Sequence, residues 1–215
     1  MYRIQKYLLT VTVFLIILFI SANFDAGINA ETEKRDLEKF NKVELAGAFN
    51  TRIIISDHFS IKIEGNKKDI AEVITEVSGN VLEVKMDWSY RQRDEINLVI
   101  YTKSLEALIC SGANKVEATD LKSDEFNLEV SGAGDTKIAG ECRNFTVSIS
   151  GAGNLEAADF KAKKVHISIS GAGNAEIYAA EGIDATVSGA SKLIYYGNPK
   201  DVDTDITGAS VIKSK

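Results

Sequence analysis

A serine or threonine followed by Gly-Ala occurs six times in the chain, as Ser111-Gly112-Ala113-Asn114, Ser131-Gly132-Ala133-Gly134, Ser150-Gly151-Ala152-Gly153, Ser170-Gly171-Ala172-Gly173, Ser188-Gly189-Ala190-Ser191 and Thr207-Gly208-Ala209-Ser210. Serine beside glycine is what a hydrolase places at a nucleophile elbow, but that elbow needs Gly-x-Ser-x-Gly on a strand-to-helix turn. Here the residue two positions ahead is Ile109, Glu129, Ser148, Ser168, Thr186 or Asp205, never glycine. A serine nucleophile also needs a base, and the sequence holds two histidines, His58 and His166, the latter in a single copy of the repeat. The bland reading fits better: a ladder of hydroxyls that satisfies backbone groups at a repeated corner.

Three further chemistries are tested in the same way. Gly-x-Gly at 132–134, 151–153 and 171–173 resembles the start of a dinucleotide fingerprint, but Lys137, Glu156 and Glu176 stand where the third glycine belongs and no helix follows. The column Asp135, Asn154, Asn174, with Asp120, Asp124 and Asp159 nearby, supplies oxygen ligands of the kind calcium takes. It lacks the nine-residue Gly/Asp period of calcium-binding solenoids, and Asn and Asp also tolerate left-handed turns. A polysaccharide lyase would need a positioned Lys or Arg as base, whereas the polar columns read Asn127/Thr146/His166/Asp184 and Glu129/Ser148/Ser168/Thr186. No catalytic residue, cofactor site or metal ligand is therefore assigned. A polysaccharide-acting enzyme stays as an alternative on grounds of architecture alone.

What must position these residues is the repeat itself. The motif starts lie 20, 19, 20, 18 and 19 residues apart. Before each stands an apolar residue (Cys110, Val130, Ile149, Ile169, Val187, Ile206), two positions earlier Leu108, Leu128, Val147, Ile167, Ala185 or Thr204, and further back Phe126, Phe145, Val165, Ile183 and Val202. Polar residues alternate with them, which is the period of a strand with one buried face. A second short strand follows each motif, with Val116, Leu155 and Leu193 inward. Each unit reads as strand, tight turn, strand and a polar connection such as 120–124 or 161–164. One unit cannot bury its own face, but stacked units pool their Val/Ile columns, each buried side chain contributing about 1.5–3 kcal/mol.

The predicted fold is all-β: a parallel β-helix-like solenoid of about 19–20 residues per rung, its corners formed by Gly112, Gly132, Gly151, Gly171, Gly189 and Gly208. A repeated sharp corner leaves no room for larger side chains. The competing architecture is a series of β-hairpins in a sandwich or barrel. Residues 41–105 read as a less regular part of the same domain, with strands at Val43 to Ala48, Arg52 to Ile55, Ser60 to Glu64, Val77 to Met86 and Ile96 to Thr102. Ala46-Gly47-Ala48 reads as a degenerate corner, and 67–75 as a short helix capped by Asn66. The regular repeats span 106–212 within a single domain, 41–215, after a polar lead-in at 31–40.

Residues 1–30 read as an export signal: Arg3 and Lys6, an apolar run from Tyr7 to Ile20, then small residues ending at Ala22 or, preferred, Ala30. The alternative is an uncleaved anchor, for which the run is shorter than the ~20 apolar residues of a span. Removal of Arg3, Lys6 and Asp25 takes the net charge from −6 to −7. An acidic chain is repelled by phosphate, so nucleic acid is excluded as a partner and any membrane contact is left to a retained N-terminus. Export permits disulfides, but Cys110 and Cys142 occupy different positions in the unit, and no bridge is expected.

With its Ser-Gly-Ala corners in place, the sequence resembles the autotransporter-adhesin head domains known as the GIN domain family. Phe40-Asn41-Lys42-Val43-Glu44 with Gly47 and the strand Arg52 to Ile55 match its opening, and Tyr195-Tyr196-Gly197-Asn198-Pro199-Lys200 its ending. The resemblance covers about residues 38–213. It implies a right-handed β-helix-like fold and export to the periplasm or cell surface, typically in Bacteroidetes-like bacteria. Family members often carry a lipoprotein cysteine that this sequence lacks. The expected function is a non-enzymatic cell-envelope binding or adhesion module for a glycan or protein, with a purely structural periplasmic role as a further alternative. Candidate contact residues are Trp88, Tyr90, Arg91 and Arg93 in one polar loop, and Tyr178 and Tyr196 near the C-terminal rungs, because aromatics beside polar groups suit sugar and protein contacts. Trp88 equally suits a cap on the solenoid, and Tyr195 follows the inward alternation into the core.

Overall fold

The computed structural model describes residues 30–87, 90–92 and 94–215. The export-signal reading of residues 1–30 therefore lies, but for Ala30, outside the described residues. Glu31–Lys215 forms one compact unit, a β-solenoid of about five turns with one short helix.

The strands are β1 (Ala30–Asp36), β2 (Lys42–Gly47), β3 (Phe49–Ile55), β4 (Ser60–Asn66), β5 (Val73–Ser78), β6 (Val81–Met86), β7 (Ile96–Thr102), β8 (Ala107–Gly112), β9 (Lys115–Gly132), β10 (Asp135–Gly151), β11 (Asn154–Gly171), β12 (Asn174–Gly189), β13 (Lys192–Tyr196), β14 (Asp201–Ile206) and β15 (Val211–Ser214), with helix α1 (Lys67–Ala71) between β4 and β5. In the regular part every pairing is parallel and every corner stacks on its neighbour. Gly47 aligns with Gly112, Gly112 with Gly132, Gly132 with Gly151, Gly151 with Gly171 and Gly171 with Gly189. The hairpin alternative is thereby excluded for the repeats, and the degenerate corner at 46–48 is a true member of the stack.

A backbone ladder runs down these corners. The amides of Ala113, Ala133, Ala152, Ala172, Ala190 and Ala209 donate to the carbonyls of Gly47, Gly112, Gly132, Gly151, Gly171 and Gly189 at 2.8–3.0 Å. The contact requires glycine for two reasons at once. Gly151 sits at φ +113°, where L side chains are strained, and a Cβ on it would lie 2.4 Å from the Gly132 carbonyl oxygen. Alternation then sends Phe126, Leu128, Val130 and their equivalents in β10, β11 and β12 inward, all at most 4% exposed. Phe126, Phe145 and Phe160 meet inside with ring centroids 5.0–6.0 Å apart.

Three readings need correction. The polar stretches 120–124 and 161–164 are not connections: β9 and β11 run through them as continuous strands. The bend sits at Asp120 (φ 60°) and Gly140 (φ 140°), where the register shifts, and the charged residues face solvent. The helix ends at Ala71, not 75; Asn66 does cap it, accepting from the Lys68 amide at 3.0 Å. The segment expected as one strand from Val77 is a hairpin, β5–β6, antiparallel about Gly79 and Asn80, both at positive φ.

The N-terminal part also departs from sequence order. β2 lies between β6 and β8, and β3 between β7 and β9. The coil formed by β6 and β7 is thus one position further out than the coil formed by β2 and β3, which precedes it in the chain. Antiparallel β4 and β5 and the strand β1 finish this end. Arg35 of β1 reaches across to donate to the Val73 carbonyl at 2.6 Å and to Thr75 Oγ1 at 3.1 Å, tying the two edges together.

Cys110 and Cys142 are free, buried thiols in different columns. Burial pushes both up to about 12, so at pH 8 a native-protein thiol assay reads no fast-reacting group and the unfolded chain reads two. Fast labelling of Cys110 in folded protein contradicts its place in the core column. Gly151→Ala is expected to cost about 3 kcal/mol or more in urea unfolding. Gly79→Ala is expected to cost no more than about 1–2 kcal/mol, because nothing lies within 4 Å of a Cβ there.

Candidate functional site

Several members of the polar columns that invited catalytic or metal readings bond within the fold. Ser111 and Ser188 donate to the carbonyls of Leu45 and Ile169 on the neighbouring coil, at 3.4 and 3.3 Å. The fourth corner position turns inward: Asn114 and Ser191 are buried and donate back to the carbonyls of Ser111 and Ser188. Asp135, Asn154 and Asn174 form a side-chain ladder, each Asn Nδ2 donating 2.9 Å to the oxygen on the previous coil. Among the described residues, no three His, Cys, Asp or Glu side chains gather closely enough to hold a metal ion.

The histidines are likewise explained. His166 Nδ1 lies 3.0 Å from Asp184 Oδ2 on the next coil, with both side chains more than half exposed. His58 Nδ1 is 3.2 Å from Ser56 Oγ and 3.3 Å from Asp57 Oδ1. One ring nitrogen faces both neighbours, whereas a Ser-His-Asp relay needs the serine and the carboxylate on opposite nitrogens.

The contact residues expected from sequence fall into two places. Trp88 and Arg93 lie outside the described residues. Arg91 is exposed, and Tyr90 is half-buried, donating from its hydroxyl to Asp69 Oδ1 at 2.8 Å. Asp69, fully buried on α1, also accepts from the Asp94 amide at 3.1 Å. It thus anchors the loop between β6 and β7 at the N-terminal end. Tyr178 and Tyr196 are register partners on β12 and β13, far along the stack from that loop. Lys161 Nζ sits 4.0 Å from the Tyr178 ring centroid, and Tyr196 donates to Glu176 Oε2 at 2.9 Å. Tyr195 packs against the core, following its alternation.

A third place was not visible in the sequence. β4 pairs antiparallel with β7, opposing Ser60 to Tyr101 and Lys62 to Val99, and β1 pairs along the other side of β4. The outward residues there line a shallow pocket of about 280 Å³: Thr32 and Lys34 from β1, Ser60 and Lys62 from β4, Tyr101 from β7, and His58 from the preceding loop. The His58 and Tyr101 rings stack with centroids 5.0 Å apart at 24°. Lys62 pairs with Glu64, and Lys34 with Asp36 at 3.0 Å. Ser60 Oγ is buried and has no hydrogen-bond partner in the protein, an unusual state for a polar group. Outward alternation in β4 was legible, but the pairing that brings Tyr101 and β1 beside it was not.

Residues 39–199 match the family model described as "Putative auto-transporter adhesin, head GIN domain". A solved "putative adhesin" of Bacteroides fragilis aligns over 88% of this chain and 99% of its own, at 23% identity and TM-score 0.74. A second, from Parabacteroides merdae, aligns over 88% and 98% at 19% identity and TM-score 0.52. At these identities the likeness establishes the shared fold. No curated protein matches the chain.

Asp69→Ala removes the acceptor for both the Tyr90 hydroxyl and the Asp94 amide. It is expected to cost about 2 kcal/mol or more and to speed amide exchange in 90–94 while leaving the corner amides protected. Unchanged exchange at Asp94 shows that the loop is held by other contacts.

Proposed function

The chain belongs to the auto-transporter adhesin head GIN domain family, and from that footing we propose that it is a non-enzymatic binding module of the bacterial cell envelope, reached by export. Several residues of its polar columns bond within the fold, and among the described residues no helix is long and apolar enough to cross a membrane. The ligand class is glycan or envelope protein, engaged on the outward surface of the sheet.

The observation that carries the reading is the pocket over β1, β4 and β7. It joins a stacked aromatic pair, the hydroxyl of Thr32 and two lysines that pair with Asp36 and Glu64. Ring faces beside hydrogen-bonding polar groups in one shallow depression suit a sugar ring. Tyr90 and Arg91 at the same end, and Tyr178 and Tyr196 at the other, extend the surface available to a longer ligand.

A glycan array probed with the purified full chain is expected to select a defined set of saccharides. Tyr101→Ala and Lys62→Ala are each expected to weaken that binding by roughly tenfold with little change in melting temperature, since both side chains face outward. Binding that survives both substitutions removes the pocket from the account. Release of reducing or unsaturated ends from envelope polysaccharides overturns the non-enzymatic reading.

A further inference from the structure

The two ends of the solenoid are finished differently. At the N-terminal end the parallel stack gives way to antiparallel β4 and β5 and to β1, bridged by Arg35. At the other end, among the described residues, β14 pairs only with β12, and β15 only with β13, so each leaves one edge of backbone groups without a strand beside it. The interior columns run out uncovered here. Val202 and Ile206 continue the columns of Ile183 and Val187, which are 3% and 0% exposed, yet are themselves 49% and 45% exposed. Ile212 ends the column of Leu193 and is part-buried. An open edge with apolar residues behind it is a template for another strand.

The charges on the two edges are opposite. β14 turns Asp201, Asp203 and Asp205 outward between Val202, Thr204 and Ile206. β15 turns Lys213 outward, and Lys215 follows it, its amide bonded to the Tyr195 carbonyl at 2.9 Å. We propose that this end is a dimer interface, and that its occupant is the same end of a second copy of the chain.

Symmetry and charge together select the arrangement. β14 runs into the Thr207–Ser210 corner and β15 runs out of it. A two-fold axis in the end plane passing beside Ala209 therefore lays β14 of one copy antiparallel to β15 of the other, twice over. In that register Ile206 faces the partner's Ile212, Asp205 the partner's Lys213, Thr204 the partner's Ser214 and Asp203 the partner's Lys215. Apolar residues meet on the inner face and opposite charges on the outer one, which is how cross-strand pairs stabilise a sheet. The other in-plane two-fold pairs β14 with β14, opposing Asp203 to the partner's Asp205, and β15 with β15, opposing lysines; like charges directly opposite disfavour it. The β1–β4–β7 pockets then lie at the far ends of the dimer, where two binding events reinforce one another.

Sedimentation equilibrium of the full chain in mild detergent, across a wide concentration range, tests the interface. Wild type is expected to populate a dimer that weakens as salt rises. Asp203→Lys with Asp205→Lys, and separately Lys213→Asp with Lys215→Asp, are each expected to weaken it roughly tenfold or more. All four changes combined restore the pairing with charges exchanged and are expected to recover the wild-type constant. All four side chains are exposed, and circular dichroism of each variant confirms that the fold is kept. A wild type that stays monomeric, a dimer indifferent to either reversal, or a combined variant that fails to recover overturns the proposal.

Discussion

The structure depends on one close approach: the carbonyl of each corner glycine lies against the next corner glycine, closer than any Cβ permits. Gly112, Gly132, Gly151, Gly171, Gly189 and Gly208 would each bring a Cβ within 2.2–2.6 Å of the preceding corner's carbonyl oxygen. That contact aligns the alanine amides with the carbonyls, and the ladder sets the register of everything attached to it. In a sheet, a slip of one residue would turn every inward side chain to solvent. Here the corners make such a slip impossible without clash, so the Val/Ile columns and the phenylalanine cluster fall into place as a consequence.

The same logic explains what happens where the repeat stops. A parallel stack cannot close its own ends, because the last coil always has an uncovered edge and an uncovered column. The N-terminal end finishes in strands of opposite direction, with a guanidinium bridging them. The far end keeps its edges open and charged, with acid on one and base on the other. The proposed binding uses surfaces the stack leaves free: the pocket over β1, β4 and β7, and the aromatic pair Tyr178 and Tyr196 on the last coils.

The regular half was legible because its signal repeats. Six corners at near-constant spacing, with alternation on either side, define both the coil and its inward residues, down to Cys110 in a Val/Ile column and Tyr195 against the core. Gly47 was legible for the same reason, as a weak copy of a strong pattern. The stretches 120–124 and 161–164 were read as polar connections because outward strand positions and loops share a charged composition. The placement of β6 and β7 outside β2 and β3 has no repeated signature at all, since antiparallel partners such as β4 and β7 are chosen by tertiary packing. The pocket inherits that blindness. Its residues come from three separate stretches between Thr32 and Tyr101, and only the pairing unites them. Trp88 and Arg93 fall outside the described residues, whereas Tyr90 is tied to Asp69 through a contact that composition could not foretell.

The most direct test is a nuclear magnetic resonance measurement of scalar couplings across the corner hydrogen bonds. The account predicts couplings from the amide nitrogens of Ala133, Ala152, Ala172 and Ala190 to the carbonyl carbons of Gly112, Gly132, Gly151 and Gly171, each one coil back. Couplings confined within each corner's own turn, or linking corners in any other order, would contradict the stacked coil on which the fold and the binding surface rest.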